Sequence, residues 1–164
     1  GPFDGKRLVQ CGNATQRTPW CATVLQSLRR GIVVGTDLDR DLALLAVPNL
    51  PDDVQLIPEI GIETVEPGDD VALISHPRRL LWTLTVGIVS AVRSRYPMGR
   101  ELGTVVQTQT PTAPGSSGGP LLTPQGGLVG IVAWAHEEQG LNGAIAINEV
   151  QAFVSEQAKK FRAR

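Results

Sequence analysis

Short apolar runs separated by turn residues are the feature that most restricts the fold of this chain. The runs are rich in Val, Ile, Leu and Thr, and Gly, Pro, Asp or Asn interrupts them at close intervals. This pattern predicts strands at 22–28, 31–35, 42–47, 71–75, 82–92, 103–109, 120–122, 128–135 and 143–147. Short strands at such spacing are typical of antiparallel barrels and sandwiches, so the sequence predicts an all-β protein. The polar, proline-containing span 48–70 is the predicted connection between two lobes.

The C-terminal segment alone changes to helical spacing. Apolar residues recur there every three or four positions, at Val150, Phe153, Val154, Ala158 and Phe161. Asn148 is a suitable N-cap, and the basic residues at the far end suit the negative pole of the helix dipole. The segment is therefore predicted to be a helix that packs on the barrel.

Charge and composition argue against several classes of function. Fifteen Lys and Arg residues nearly balance sixteen Asp and Glu residues, so the net charge of −1 does not favour a nucleic-acid partner. A hydrophobic content of 41% argues against disorder. Every apolar run is far shorter than the roughly 20 residues that cross a bilayer. We therefore predict a soluble protein with no membrane partner, and without a targeting segment the cellular compartment stays open.

The redox state of the two cysteines and the native start of the chain are also open. Cys11 and Cys21 are able to form one disulfide, although two thiols in a domain of this size are more often reduced. Gly1 and Pro2 resemble the remnant that a tag-removing protease leaves, so the native start is expected upstream.

The stretch GSSGGP, residues 115–120, has the composition of a nucleophile loop. A nucleophilic hydroxyl needs a base for its proton and backbone N–H groups directed at the oxyanion that it creates. Gly115 is able to turn its amide outward, so that the amides of Gly115 and Ser117 point at one place. A Gly-Ser turn without any chemistry is the alternative for these six residues.

Several motifs together resemble the trypsin-like serine proteases of chymotrypsin fold, within the HtrA/Deg branch. GSSGGP matches the nucleophile motif of that family, and GGLVGIVAWA at 126–135 resembles the strand that lines its primary specificity pocket. DLALL at 41–45 resembles the aspartate motif, ALISHPRRLLWTLTVGIVSAV at 72–92 the first hairpin of the second barrel, and GAIAIN at 143–148 the last strand. The match extends from about residue 22 to 155, in the order that the family has.

The resemblance implies a chymotrypsin-like double β-barrel with an incomplete N-terminal barrel and a C-terminal helix. The predicted domains are a partial N-terminal barrel at 1–62 that carries the aspartate, a C-terminal barrel at 63–148 that carries the serine, and the helix at 149–164.

The resemblance also implies roles for individual residues. Ser117 is the expected nucleophile, Asp41 the residue that orients the base, and the amides of Gly115 and Ser117 the oxyanion hole. The expected substrate pocket consists of Pro111, Thr112, Trp134, Ala135 and Gly143. No metal and no cofactor is expected.

Two of these residues also have ordinary structural interpretations. Asp41 is by its position before a strand a candidate turn or cap residue, and Trp134 is a candidate core residue. Asp37 and Asp39 are expected to be solvated residues of the preceding turn.

The pocket residues carry no charge, which predicts the substrate preference. A Lys or Arg side chain entering against Pro111 and Thr112 would lose its hydration without gaining a counter-ion. A small or medium aliphatic residue is therefore expected before the scissile bond.

The histidine that the family places about thirty residues before its aspartate is missing. The sequence contains no histidine before His76. His76 and His136 belong to the same barrel as the serine, whereas the family supplies its base from the other barrel, so both are expected to be loop residues. His136 is also a candidate for contact with a bound peptide.

Three hypotheses about function follow from the missing histidine. The chain is a fragment or processed form of an active serine endopeptidase, or a pseudoprotease that binds peptides or proteins, or a regulatory or assembly domain with a vestigial cleft. The expected partner is a peptide or protein substrate, with a larger parent chain or a partner subunit as a further partner. Without a base on the serine, this chain is expected to be nearly inert.

Overall fold

The computed structural model describes residues 30–98, 100–135 and 142–162. The predicted strand 22–28, the cysteines Cys11 and Cys21, and His136 lie outside the described residues. The chain divides into two compact units, of which one comprises Gly1–Ile32 with Ala46–Val54 and the other Val33–Leu45 with Gln55–Arg164. The barrel, the helix and the candidate site described below belong to the second unit.

Strands dominate the described residues, and one long helix follows them. The strands are β1 (Ile32–Asp37), β2 (Leu42–Ala46), β3 (Asp70–Ser75), β4 (Thr83–Met98), β5 (Glu101–Thr108), β6 (Pro120–Leu122), β7 (Leu128–Ala135) and β8 (Asn142–Ala146). Short 3-10 turns span Ile62–Thr64 and Pro77–Arg79, and helix α1 spans Ile147–Arg162. A mostly β protein with a C-terminal helix is confirmed.

The predicted helix cap is wrong by two residues, because a helix that begins at Ile147 has residue 146 at its N-cap position. Helix α1 begins at Ile147, so Asn148 lies inside the first turn and does not precede it. Its side-chain amide donates to Thr104 Oγ1 at 3.2 Å. The helix therefore begins directly at the end of β8, and Asn148 ties its first turn to β5.

Six strands close into an antiparallel barrel in the order β3-β4-β5-β8-β7-β6. The ring closes where β6 pairs with β3, with Leu73 opposite Leu121. Closure leaves no strand edge unpaired within the barrel. Strands β1 and β2 form a separate two-stranded sheet.

The barrel interior follows the alternation of side chains along each strand. Val71, Leu73 and Ser75 of β3 are buried, and the core also contains Val89, Val106, Leu121, Val129 and Val132. Each fully buried aliphatic side chain contributes about 1.5–3 kcal/mol to the free energy of unfolding. On the outer face of β4, by contrast, Leu84 and Val86 are exposed.

A second, smaller cluster joins the barrel to its neighbours. Met98, Val105 and Ile145 are buried, and Leu42 of β2 and Val150 of α1 pack against them. This cluster holds β2, the strand that follows Asp41, against the barrel that carries Ser117. Among the described residues, no helix is both long enough and apolar enough to cross a membrane.

Candidate active site

The loop between β5 and β6 presents two adjacent serines in opposite environments. Ser116 is buried, at 2% exposure, whereas Ser117 is exposed. The Ser116 hydroxyl accepts a hydrogen bond from the Ala113 amide at 3.1 Å, and the Ser116 amide donates to the Ala113 carbonyl at 2.9 Å. Ser116 therefore closes a tight turn whose next residue, Ser117, faces solvent.

The peptide bond before Gly115 has its N–H directed away from the barrel. The Pro114 carbonyl accepts a hydrogen bond from the Arg78 amide at 2.8 Å. In a trans peptide the C=O and the following N–H point in opposite directions, so the Gly115 N–H points away from Arg78. Gly115 has a φ of +100°, a conformation that glycine adopts without strain.

Neither the Gly115 amide nor the Ser117 amide has a hydrogen-bond acceptor within the described part of the chain. The next amides along the loop are paired, since Gly118 N–H donates to the Val132 carbonyl at 2.7 Å and Gly119 N–H to the Ser116 carbonyl at 3.0 Å. Two free donors thus lie on either side of Ser116, next to the exposed hydroxyl of Ser117.

Strand β7 holds the loop 115–120 and accepts the Ser117 hydroxyl through a backbone carbonyl. Val132 N–H donates to the Gly119 carbonyl at 2.9 Å, which docks the loop on the strand. The Ser117 hydroxyl donates to the carbonyl of Ala133 at 3.2 Å. The hydroxyl proton is therefore directed at a backbone carbonyl, which accepts a hydrogen bond but does not act as a base.

Asp41 lies beside the same strand. It directly precedes β2 with a φ of +54°, in the left-handed region that Asp tolerates better than most residues. Asp41 lines a cavity of about 210 Å³ together with Ala133, Trp134 and Tyr96. Ala133 thus lines the cavity together with Asp41 and, through its carbonyl, also accepts the Ser117 hydroxyl.

The turn before Asp41 is fixed by an ion-pair cluster, which corrects one expectation. Asp37 is not a solvated residue, because its side chain is 18% exposed and pairs with Arg40 at 3.0 Å. Its other oxygen accepts the amides of Asp39 at 3.0 Å and Arg40 at 2.9 Å. Arg40 also contacts Glu149 at 3.5 Å and Glu156 at 3.3 Å, both on α1.

Trp134 is a partly buried wall of the cavity. Its indole stacks on Tyr96 with ring centroids 5.5 Å apart and an interplanar angle of 11°. Gly143 is paired directly with Trp134 across β7 and β8, and the indole occupies the space that a Cβ on Gly143 would need. Gly143 is therefore covered by the indole.

Of the other predicted pocket residues, Pro111 and Thr112 lie on the loop that leads to Ser117. The Pro111 carbonyl accepts the Thr85 hydroxyl at 3.1 Å. The Thr112 hydroxyl is buried and has no partner among the described residues. Ala135 ends β7, one residue beyond Trp134.

His76 supports the nucleophile loop from the 76–82 turn. Its Nδ1 accepts the Trp82 amide at 2.9 Å, and the two rings meet edge to face at 5.0 Å. A Cβ on Gly115 would lie 2.5 Å from the His76 carbonyl oxygen, so this turn packs against the loop. The supporting role of His76 and Arg78 is not visible in the sequence, because both residues contact the loop through backbone groups, which leave no signal in residue type.

Comparison with known proteins gives a consistent family. The model of the trypsin-like peptidase domain matches residues 10–131. The putative serine protease HhoB of Synechocystis is 38% identical over 132 residues, which is 76% of this chain and 30% of that protein. The serine protease Do-like HtrA of Bacillus subtilis is 34% identical over 138 residues, 78% of this chain and 30% of that protein.

A solved structure agrees with these relatives. The HtrA-type protease AlgW, solved with a decapeptide, is 26% identical and superposes with a TM-score of 0.71 over 80% of this chain and 41% of its own. The likeness confirms the chymotrypsin-like fold class. The chain spans about a third of the length of the two curated relatives, at 30% of each.

Proposed function

Because the chain belongs to the trypsin-like peptidase family, and within it to the HtrA branch of serine proteases, we propose that it is a serine endopeptidase domain with Ser117 as nucleophile. The observation that carries this role is the exposed Ser117 hydroxyl beside the free amides of Gly115 and Ser117. Two backbone donors directed at a developing oxyanion are what acyl transfer requires.

In the proposed reaction the Ser117 oxygen attacks the carbonyl carbon before the scissile bond. The carbonyl oxygen becomes an oxyanion that the Gly115 and Ser117 amides stabilise, and the tetrahedral intermediate expels the amine to leave an acyl-enzyme. Water then hydrolyses the ester and regenerates the serine. Asp41 orients the base that moves the proton from the hydroxyl to the leaving amine.

The base itself is the part that this sequence does not supply. No histidine precedes His76, and the Nδ1 of His76 is engaged by the Trp82 amide. We therefore propose that hydrolysis needs a histidine from additional chain and that the chain as given turns over very slowly. The residual rate over water comes from the oxyanion hole alone.

A peptide-binding pseudoprotease is the second candidate. The contact of the Ser117 hydroxyl with the Ala133 carbonyl favours it, because this hydrogen bond holds the hydroxyl without activating it. The neighbour AlgW was solved with a decapeptide, which supports peptide binding by this fold.

Labelling with a fluorophosphonate, read by intact mass and peptide mapping, tests the nucleophile. We expect slow modification confined to Ser117, and none in the Ser117→Ala variant. Ser116→Ala is the matched control. This variant is expected to keep the label, because Ser117 is retained. Modification of any other residue contradicts the assignment of Ser117, and complete labelling within minutes contradicts the proposed inertness.

The uncharged pocket supports a preference for aliphatic residues. Pro111 is uncharged, and the Thr112 hydroxyl is buried without a hydrogen-bond partner among the described residues. Neither residue supplies a counter-ion. An incoming Lys or Arg would lose its hydration at a cost of a few kcal/mol, on the order of 3. A series of peptide aldehydes that differ in the last residue is expected to bind tighter with Val or Leu than with Arg, and the reverse order rules this pocket out.

A further inference from the structure

A second cleft lies on the barrel away from the candidate active site. It has a volume of about 510 Å³ and shares no lining residue with the cavity beside Asp41. Pro58, Ile60, Pro124 and Gln125 line it and keep exposed surface, whereas Val65 and Val129 line it as buried residues of the barrel core. A cleft of this size with apolar walls is suited to one or two side chains of a peptide.

The rim of this cleft carries negative charge only. The sequence has eight Asp and Glu residues and no Lys or Arg between positions 41 and 77. Five of these acids fall in the segment that borders the cleft, at Glu59, Glu63, Glu66, Asp69 and Asp70. Asp69 and Asp70 themselves line the cleft.

These carboxylates are not neutralised by neighbouring cations. In the ranges that the structure describes, none of the five forms an ion pair with Lys or Arg. Glu59 accepts only the neutral amide of Gln151 at 2.8 Å, and Asp69 only the backbone amide of Glu66 at 2.8 Å. The segment 123–129, which also contributes to the lining, is uncharged. Like charges left together create a negative potential over the apolar cleft that a cationic partner relieves.

From this charge complementarity we propose that the cleft is a docking site for a protein segment in which an aliphatic residue is flanked by Lys or Arg. The aliphatic side chain packs on the accessible surface of Pro58 and Ile60, and the flanking cations lie over Asp69 and Asp70. The partner is a separate protein, and its binding is independent of the chemistry at Ser117.

Fluorescence anisotropy with a capped peptide of sequence Lys-Arg-Leu-Val-Lys tests the proposal. Binding is expected to weaken about tenfold when NaCl rises from low concentration to about 0.5 M, where screening shortens the electrostatic range to a few Å. A capped Glu-Glu-Leu-Val-Glu peptide is expected not to bind. Equal binding of both peptides overturns the proposal.

Matched lysine substitutions locate the site. Gln125→Lys adds a cation to an exposed turn of the cleft, and Ser94→Lys adds the same charge to an exposed position of β4 that does not line it. We expect Gln125→Lys and the neutralising Asp70→Asn each to weaken binding about three- to fivefold, and Ser94→Lys to leave it unchanged. Equal effects of the two lysine variants overturn the site.

Two further measurements separate this site from the alternatives. Binding that Ser117→Ala retains, and that a peptide aldehyde in the active site does not compete with, supports an independent site, whereas competition assigns the peptide to the catalytic cleft. Sedimentation equilibrium shows whether the chain self-associates. A dimer that Gln125→Lys disrupts makes a second copy the occupant and overturns the proposal of a separate partner.

Discussion

The backbone at Gly115 controls how the candidate site presents its amides. Its φ of +100° is one that residues with a Cβ rarely adopt, and a Cβ there would lie 2.5 Å from the His76 carbonyl oxygen. Any larger residue must therefore either move the 76–82 turn or rotate the Pro114–Gly115 peptide. Both changes break the hydrogen bond from Arg78 that orients this peptide.

Gly115→Ala is therefore expected to cost more than the backbone angle alone. Gly68 is the matched control, because its φ is +101° and nothing lies within 4 Å of a Cβ built on it. We expect Gly68→Ala to lower the free energy of unfolding by about 1 kcal/mol and Gly115→Ala by at least about 2 kcal/mol. Urea denaturation measures the loss of unfolding free energy in both variants. Equal losses would mean that the His76 carbonyl moves away from the added Cβ at little cost.

At this scale the sequence indicates candidate residues for the site, but it does not indicate the residues that support them. Ser117 and Gly115 are recognisable from GSSGGP, because a nucleophile loop needs these residue types at this spacing. The hydrogen bond from the Arg78 amide to the Pro114 carbonyl joins positions that are 36 residues apart. It uses backbone atoms, which every residue possesses, so residue type does not predict it. The pairing of Asp37 with Arg40 and helix α1 likewise depends on tertiary structure.

Helix α1 and the β1–β2 turn are held together by Arg40. Its side chain is 14% exposed and contacts the carboxylates of Asp37, Glu149 and Glu156. Glu149 also accepts the Thr104 amide of β5 at 2.8 Å. The residue next to Asp41 thus connects the turn to the helix and, through Glu149, to the barrel.

Arg40→Met removes the cation but keeps most of the aliphatic stem. Asp37 and Glu149 then stay partly buried without their partner, at 18% and 15% exposure. We expect the free energy of unfolding to fall by about 2 kcal/mol. Arg93→Met is the control, since Arg93 is exposed and donates to a neutral partner, Gln107, at 2.9 Å, and a change within about 0.5 kcal/mol is expected there.

A loss from Arg40→Met no larger than that from Arg93→Met would show that the cluster does not stabilise the turn. Urea denaturation of both variants supplies the comparison.

At the scale of the whole molecule, the sequence predicts the strands but not their order. Runs such as 71–75 and 128–135 are apolar, β-branched and bounded by turn residues, and the structure has β3 and β7 there. The order β3-β4-β5-β8-β7-β6 follows from which strand faces pack together. Local residue patterns do not contain that information, so the barrel closure was available only through the family resemblance.

In the closed barrel, one face of a strand pair is buried and the other face is exposed. Two leucines test this difference. Leu73 of β3 is fully buried at 0% exposure, whereas Leu84 of β4 lies opposite Ile74 on the outer face at 62% exposure. Truncating Leu73 leaves a cavity in a core that includes Leu121 and Val89, while truncating Leu84 only removes a solvated side chain. We expect Leu73→Ala to lower the free energy of unfolding by about 3 kcal/mol and Leu84→Ala by no more than about 0.5 kcal/mol, as measured by urea denaturation. Similar losses from both variants would mean that the outer face of β4 is covered in solution. A loss from Leu73→Ala that is smaller than the loss from Leu84→Ala would place the barrel interior elsewhere.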